Sequence, residues 1–281
     1  MLRSRLVSLS LALGVLPSAS SAACAVRDFT EVPLPSLVNR TEVALALELA
    51  FPGLFVDEIA GTVTVSGETF ALGQDSGRPH RQRLADPSIA EMFTHIYPLQ
   101  FDLERRDTPW DDPGRARHDG LFRALYGHTE KEVAASLLRV EYKGSSQGAR
   151  FSASSRQCVA QQLQAALDAI ASEGPEMDMF FAKVGGSFNW RVIAGTGRLS
   201  AHSYGIAVDF NTELGGYWRW SGAKEGNVGP YNNQYPEPLV RHMERFGFIW
   251  GGKWHHFDGM HFEYRPEIIL YSRLSSTPRN N

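Results

Sequence analysis

Ser200-Ala201-His202-Ser203-Tyr204-Gly205-Ile206-Ala207-Val208-Asp209 decides how this chain folds. Ile206, Val208 and Phe210 alternate with Gly205, Ala207 and Asp209, which predicts a strand with one apolar face and one face of small residues ending in a carboxylate. His202 stands before that strand on a turn. Gly205 has no Cβ, so the turn can fold close over the strand and bring the imidazole towards Asp209. Such a pair is also what an ordinary structural histidine leaves in a sequence.

A second stretch, Trp254-His255-His256-Phe257-Asp258-Gly259-Met260-His261-Phe262-Glu263-Tyr264, changes the balance. It reads as another short strand, with Met260, Phe262 and Tyr264 on one face and His261 and Glu263 on the other. Two neutral imidazoles and a carboxylate suit zinc, and three protein ligands leave a fourth tetrahedral position for water, the mark of a catalytic site. Asp258 precedes His261 across Gly259, where a bend can aim its carboxylate at the water rather than the metal. It is the candidate general base.

These residues resemble a known family, the zinc D-alanyl-D-alanine carboxypeptidases and L-alanyl-D-glutamate endopeptidases of bacterial cell walls. The pattern Ser-x-His-x-x-Gly-x-Ala-x-Asp is met by Ser200, His202, Gly205, Ala207 and Asp209, and the acidic residue three before a final histidine by Asp258 and His261. The resemblance implies His202, Asp209 and His261 as Zn2+ ligands and Asp258 as catalytic base. The base is Glu in the carboxypeptidase branch and Asp in many endopeptidases, so the bond cleaved stays open. The resemblance also implies a substrate-contacting arginine upstream; Arg191 fits it best and Arg198 is the second choice. His255 and His256 compete with His261, which alone has Asp258 at the family spacing. The resemblance covers about residues 112 to 266.

Length and charge agree with this. The 281 residues suit one large or two small domains, and a formal net charge of −3 gives no basic footprint for nucleic acid. Arg3 and Arg5 precede an apolar run from Leu6 to Leu16, then Pro17 and the small residues 18–23: a secretory signal peptide, too short in its apolar part to span a bilayer. The expected protein is exported, periplasmic or extracellular. Cys24 and Cys158 are the only cysteines, and three readings stand: a disulfide, lipidation of Cys24 after cleavage, or Cys158 as a small buried hydrophobe.

Helices are expected over Thr41–Phe51, Ser88–Tyr97, Leu121–Tyr126, Gln157–Ser172 with a Ser154 or Ser155 cap, and Pro238–Phe246. Strands are expected over Leu54–Ile59, Thr62–Val65 and Leu138–Tyr142. The charged stretch Glu104–Arg117 reads as a solvated linker first, and otherwise as a boundary or a loop over the cleft; residues 211–236, rich in Gly, Asn and aromatics, read as a wall of the cleft or as a loop pinned by its own aromatics. His80, His95, His118 and His128 lack partners at ligand spacing and read as surface or packing residues.

The expected fold class is α+β: an antiparallel sheet carrying the zinc site with helices packed on its opposite face, hedgehog/DD-peptidase-like by resemblance. The expected division is 1–23 signal peptide, 24–110 N-terminal α+β region and 111–281 zinc metallopeptidase domain. Two functions follow: hydrolysis of an amide bond in a peptidoglycan stem peptide or other D-amino-acid peptide, or non-catalytic, zinc-stabilised recognition of cell-wall peptide. The sequence does not indicate an oligomeric state.

Overall fold

A computed structural model describes residues 24–193 and 196–277; the signal-peptide expectation falls outside them. The chain is mixed α+β with antiparallel sheets. After an extended lead-in come α1 (Glu42–Ala50) and a small meander, β1 (Phe55–Asp57), β2 (Thr62–Val65) and β3 (Glu68–Ala71). Short helix α2 (His80–Ala85) and a loop-rich stretch lead to α3 (Asp119–Tyr126) and α4 (Glu130–Ser136). The hairpin β4 (Leu137–Lys143) and β5 (Gly148–Ser154) feeds the long helix α5 (Val159–Glu173). Then follow β6 (Val184–Gly186), β7 (Ala207–Asn211), α6 (Thr212–Gly215), α7 (Glu237–Arg245), β8 (Phe248–Trp250), β9 (His261–Tyr264) and α8 (Pro266–Ser276).

The sheet that matters for function has the order β6-β7-β9-β8. Asp209 lies directly opposite His261 in the antiparallel β7–β9 register, so the two side chains share one face. On the other face Phe210 and Phe262 are fully buried among Phe151, Phe181 and Tyr235. The hairpin and a 3-10 segment, Pro175–Phe181, thus cover the back of β7, while α7 and α8 lie against β8. α5 packs behind, burying Val159, Leu163, Leu167 and Ile170.

One hydrophobic core runs from Phe29 through α1, α5 and the central sheet to Leu274, crossing the position expected to begin the second domain. Glu104–Arg117 is no solvated linker: Asp111, Asp112 and Arg117 are buried. Asp112 accepts hydrogen bonds from the backbone and ring nitrogens of His256 at 2.8 and 2.7 Å, and Arg117 pairs with Glu263 at 2.8 Å, so charged partners far along the chain hold the stretch inside. Ser88–Tyr97 condenses only to a 3-10 turn, Ala90–Phe93. Its Ser88–Glu91 capping pair forms, but the Glu91 carboxylate is also committed to Ser76 and Arg78, and a segment this short gains little from helix propagation. The strand expected over Leu54–Ile59 ends at Asp57, whose carboxylate accepts from the amides of Ile59 and Ala60. Neither Ser154 nor Ser155 caps α5. Cys158, at the N-cap in a left-handed conformation, instead forms a disulfide with Cys24, so the Cys24 sulfur is not free for a thioether lipid.

Candidate metal centre

Ser200 caps a 3-10 turn, Ala201–Tyr204, its hydroxyl accepting from the His202 amide at 3.4 Å. Gly205 ends the turn at φ +68°, and its carbonyl accepts from the Ser154 amide at 2.8 Å. A Cβ there would stand 2.6 Å from the Leu137 side chain, so only glycine allows this approach of the turn to the hairpin. His202 is thereby held, buried, over β7.

The His202, Asp209 and His261 ligand atoms all lie within 4.8 Å of one another. His202 Nε2 is 3.3 Å from Asp209 Oδ1 and 3.2 Å from His261 Nδ1, and His261 Nδ1 is 2.9 Å from Asp209 Oδ1. The opposite ring nitrogens are occupied. His202 Nδ1 donates to the Ser187 carbonyl at 2.5 Å, and His261 Nε2 faces Glu263 Oε2 at 3.4 Å. Those partners orient the rings so that His202 Nε2 and His261 Nδ1 face the common point, the arrangement metal-binding histidines need once a cation displaces the proton there. Two imidazoles and a carboxylate converging in this way fit a borderline cation such as zinc.

The electrostatics agree. Burial works against ionising Asp209, yet His202 and His261 hold its carboxyl well below the usual range. His261 is pushed up to about 10: burial opposes this, but hydrogen bonds to Asp209 and Glu263 overcome it. A proton held this tightly marks a pocket of negative potential suited to a cation.

Asp258 is half-buried, and its Oδ1 is sealed from solvent with no hydrogen-bond partner among the described residues. Burial, assisted by the charge of Asp209, pushes its carboxyl up to about 6 against the pull of His261 and His202. It feels the three-residue group without belonging to it. Its position depends on close backbone packing: the Gly259 amide donates to the Gly216 carbonyl at 2.9 Å, and a Cβ on Gly259 would meet Gly215 O at 1.9 Å and Tyr231 Oη at 2.1 Å. Tyr217 bridges to Asp258 through the backbone, so part of 211–236 does line this region.

Arg191 is exposed. Its main chain supports the turn, the amide donating to Ser203 Oγ at 2.9 Å and the carbonyl accepting from the Ser200 amide at 3.0 Å. His255 and His256 do not join the three candidate ligands: His255 Nδ1 lies 2.8 Å from the Arg106 carbonyl, and His256 lies between Asp112 and the Gly226 amide. Among the other histidines, His118 caps α3 and His128 faces Glu68 at 2.9 Å. Glu263, Arg117 and Ser187 were missed from sequence. Glu263 had a signal, since it shares the face of His261 two residues on; Arg117 had none, being 146 residues from the carboxylate it holds.

The family model described as D-alanyl-D-alanine carboxypeptidase matches residues 194–264. That segment contains His202, Asp209, Asp258 and His261 and supports a peptidase. No curated protein and no solved structure matches the chain.

Proposed function

We propose that the protein is an exported zinc metallopeptidase that hydrolyses an amide bond in peptidoglycan stem peptides, as a carboxypeptidase or an endopeptidase, on a hedgehog/DD-peptidase-like fold. The peptidase unit is residues 111–281, and residues 24–110 complete its core. The observation that carries this is a half-buried carboxylate, Asp258, whose sealed Oδ1 has no partner among the described residues, beside three converging candidate ligands inside the segment that matches a carboxypeptidase family. His202, Asp209 and His261 hold the zinc, which when bound polarises a carbonyl and makes water acidic. Asp258 takes the proton of the attacking water and delivers it to the leaving amine. Arg191, presented to solvent on the ribbon before the turn, steadies negative charge on the substrate.

Replacing Asp258 by Ala tests the assignment. Hydrolysis should fall by about 10²-fold or more with zinc content unchanged. Loss of zinc from this variant would make Asp258 a ligand and refute its role as base.

A further inference from the structure

Tyr217 is set beside Asp258 by the backbone. The Trp218 amide donates to the Phe257 carbonyl at 3.0 Å and the Gly259 amide to the Gly216 carbonyl at 2.9 Å, so Tyr217 and Asp258 stand opposite each other as an antiparallel pair. These bonds flank the pair and do not join it, which is the closer of the two antiparallel pairings and puts both side chains on one face. The His261 amide donates to the Asp258 carbonyl at 3.1 Å, so the same short ribbon leads into the metal centre.

The Tyr217 ring is held from two sides. Buried Trp218 meets it edge-on at 6.1 Å and 67°, and exposed Trp220 at 6.1 Å and 81°. Tyr217 is half-buried, and its hydroxyl has no hydrogen-bond partner among the described residues. In this it differs from Tyr97, Tyr142, Tyr204 and Tyr235, whose hydroxyls donate to Glu244, Asp178, Asp119 and the Asn211 carbonyl. Burial and the charge of Asp258 raise the phenol above its ordinary range against the pull of Arg219, Arg115 and Arg191, so it stays protonated. A fixed, uncommitted O–H donor therefore stands next to the candidate base.

Tyrosine is longer than aspartate by a ring, so from a shared face the hydroxyl projects past the carboxylate. It reaches towards the space that a substrate carbonyl occupies while Asp258 takes the proton of the attacking water. A donor already in place needs no reorganisation when charge develops on that carbonyl oxygen. The bond strengthens as the oxygen becomes anionic, so it lowers the barrier more than it tightens substrate binding.

We propose that Tyr217 is a catalytic residue whose phenol O–H donates a hydrogen bond to the scissile carbonyl oxygen as that oxygen gains negative charge. This rests on the peptidase reading above and adds a neutral donor distinct from Arg191. The phenol keeps its proton throughout: the proton of the attacking water passes to Asp258 and on to the leaving amine.

The test compares steady-state hydrolysis of L-Ala-γ-D-Glu-L-Lys-D-Ala-D-Ala, which carries both candidate bonds, by zinc-loaded wild-type and Tyr217→Phe protein. Phenylalanine keeps the ring between its two tryptophans and removes only the hydroxyl. The kcat should fall about 10²-fold with KM within about twofold. Zinc content, melting temperature and the acid limb of the pH profile should not move. A phosphinate analogue of the cleaved bond, which carries a charged oxygen in place of the carbonyl, should bind the variant correspondingly less well, while the product peptides bind both proteins equally. An unchanged kcat would overturn the assignment, and so would a loss confined to KM. A shifted acid limb, lost zinc or a lower melting temperature would also overturn it, making Tyr217 a support for Asp258 or for the fold. If folded, zinc-loaded wild-type protein cleaves neither bond, the peptidase reading itself fails and the role of Tyr217 falls with it.

Discussion

At position 258 desolvation and the charge of Asp209 raise a half-buried carboxyl to about 6, and this has opposite consequences for activity and stability. A general base must be ionised, so kcat/KM should fall as pH drops through its pKa; a dication at the three ligands lowers that pKa, placing the acid limb at or below about 6. Stability moves the other way. The folded state holds this proton more tightly than the unfolded chain, so the metal-free protein loses stability as pH rises from about 4 to about 6. Asp258→Asn should therefore melt higher than wild type at pH 7 without metal, with no gain near pH 4, while abolishing hydrolysis; calorimetric scans at both pH values check it. At His261 the Glu263 carboxylate orients the ring, and Glu263→Gln should weaken zinc binding about 10- to 100-fold in a competition titration. The convergence of the three candidate ligands was legible because each sits in a short motif with its own spacing. Arg117 was not, because nothing local connects it to the carboxylate that it holds across 146 residues.

Among the elements, two turns carry the geometry of the site. Gly259→Ala must push against the Gly215 carbonyl and Tyr231 hydroxyl, displacing Asp258 from His261. This change should abolish hydrolysis, measured on a dansylated peptide, with much smaller loss of zinc than His261→Ala causes. The disulfide between Cys24 and Cys158 ties the lead-in to the start of α5 across 134 residues. Its removal by Cys158→Ser should cost about 3 kcal/mol, seen as a melting temperature lower by roughly 5–10 °C. Elements with a strong period, β7, β9, α5 and α7, could be read from the chain because alternation or an apolar stripe dictates them. The stretch Ser88–Tyr97 has the apolar spacing of a helix yet buries Ile89, Met92 and Phe93 through a single 3-10 turn, because side-chain commitments of Glu91 outweigh its weak helical tendency.

Across the whole molecule, burial joins regions that the sequence separates. Lys253 Nζ is fully buried, 2.5 Å from Glu244 and 2.8 Å from the Pro98 carbonyl, and Tyr97 donates to the same Glu244, so the 97–98 segment is fastened to α7 and the approach to β9. Lys253→Met leaves Glu244 without its cation and should destabilise the fold by about 3 kcal/mol or more, measured by urea unfolding. A chain beginning at residue 111 loses α1, which packs on α8, and should lack a cooperative unfolding transition. Such contacts were illegible because pairings between distant segments leave no periodic trace. The central claim is that three converging ligands and Asp258 make a metal-dependent amidase, and it is tested most directly by mass spectrometry of peptidoglycan fragments incubated with the protein, with a chelator, and after zinc add-back. Loss of a terminal alanine or an internal cut that the chelator stops and zinc restores is the predicted result. Intact fragments after incubation with folded, zinc-loaded protein would contradict it.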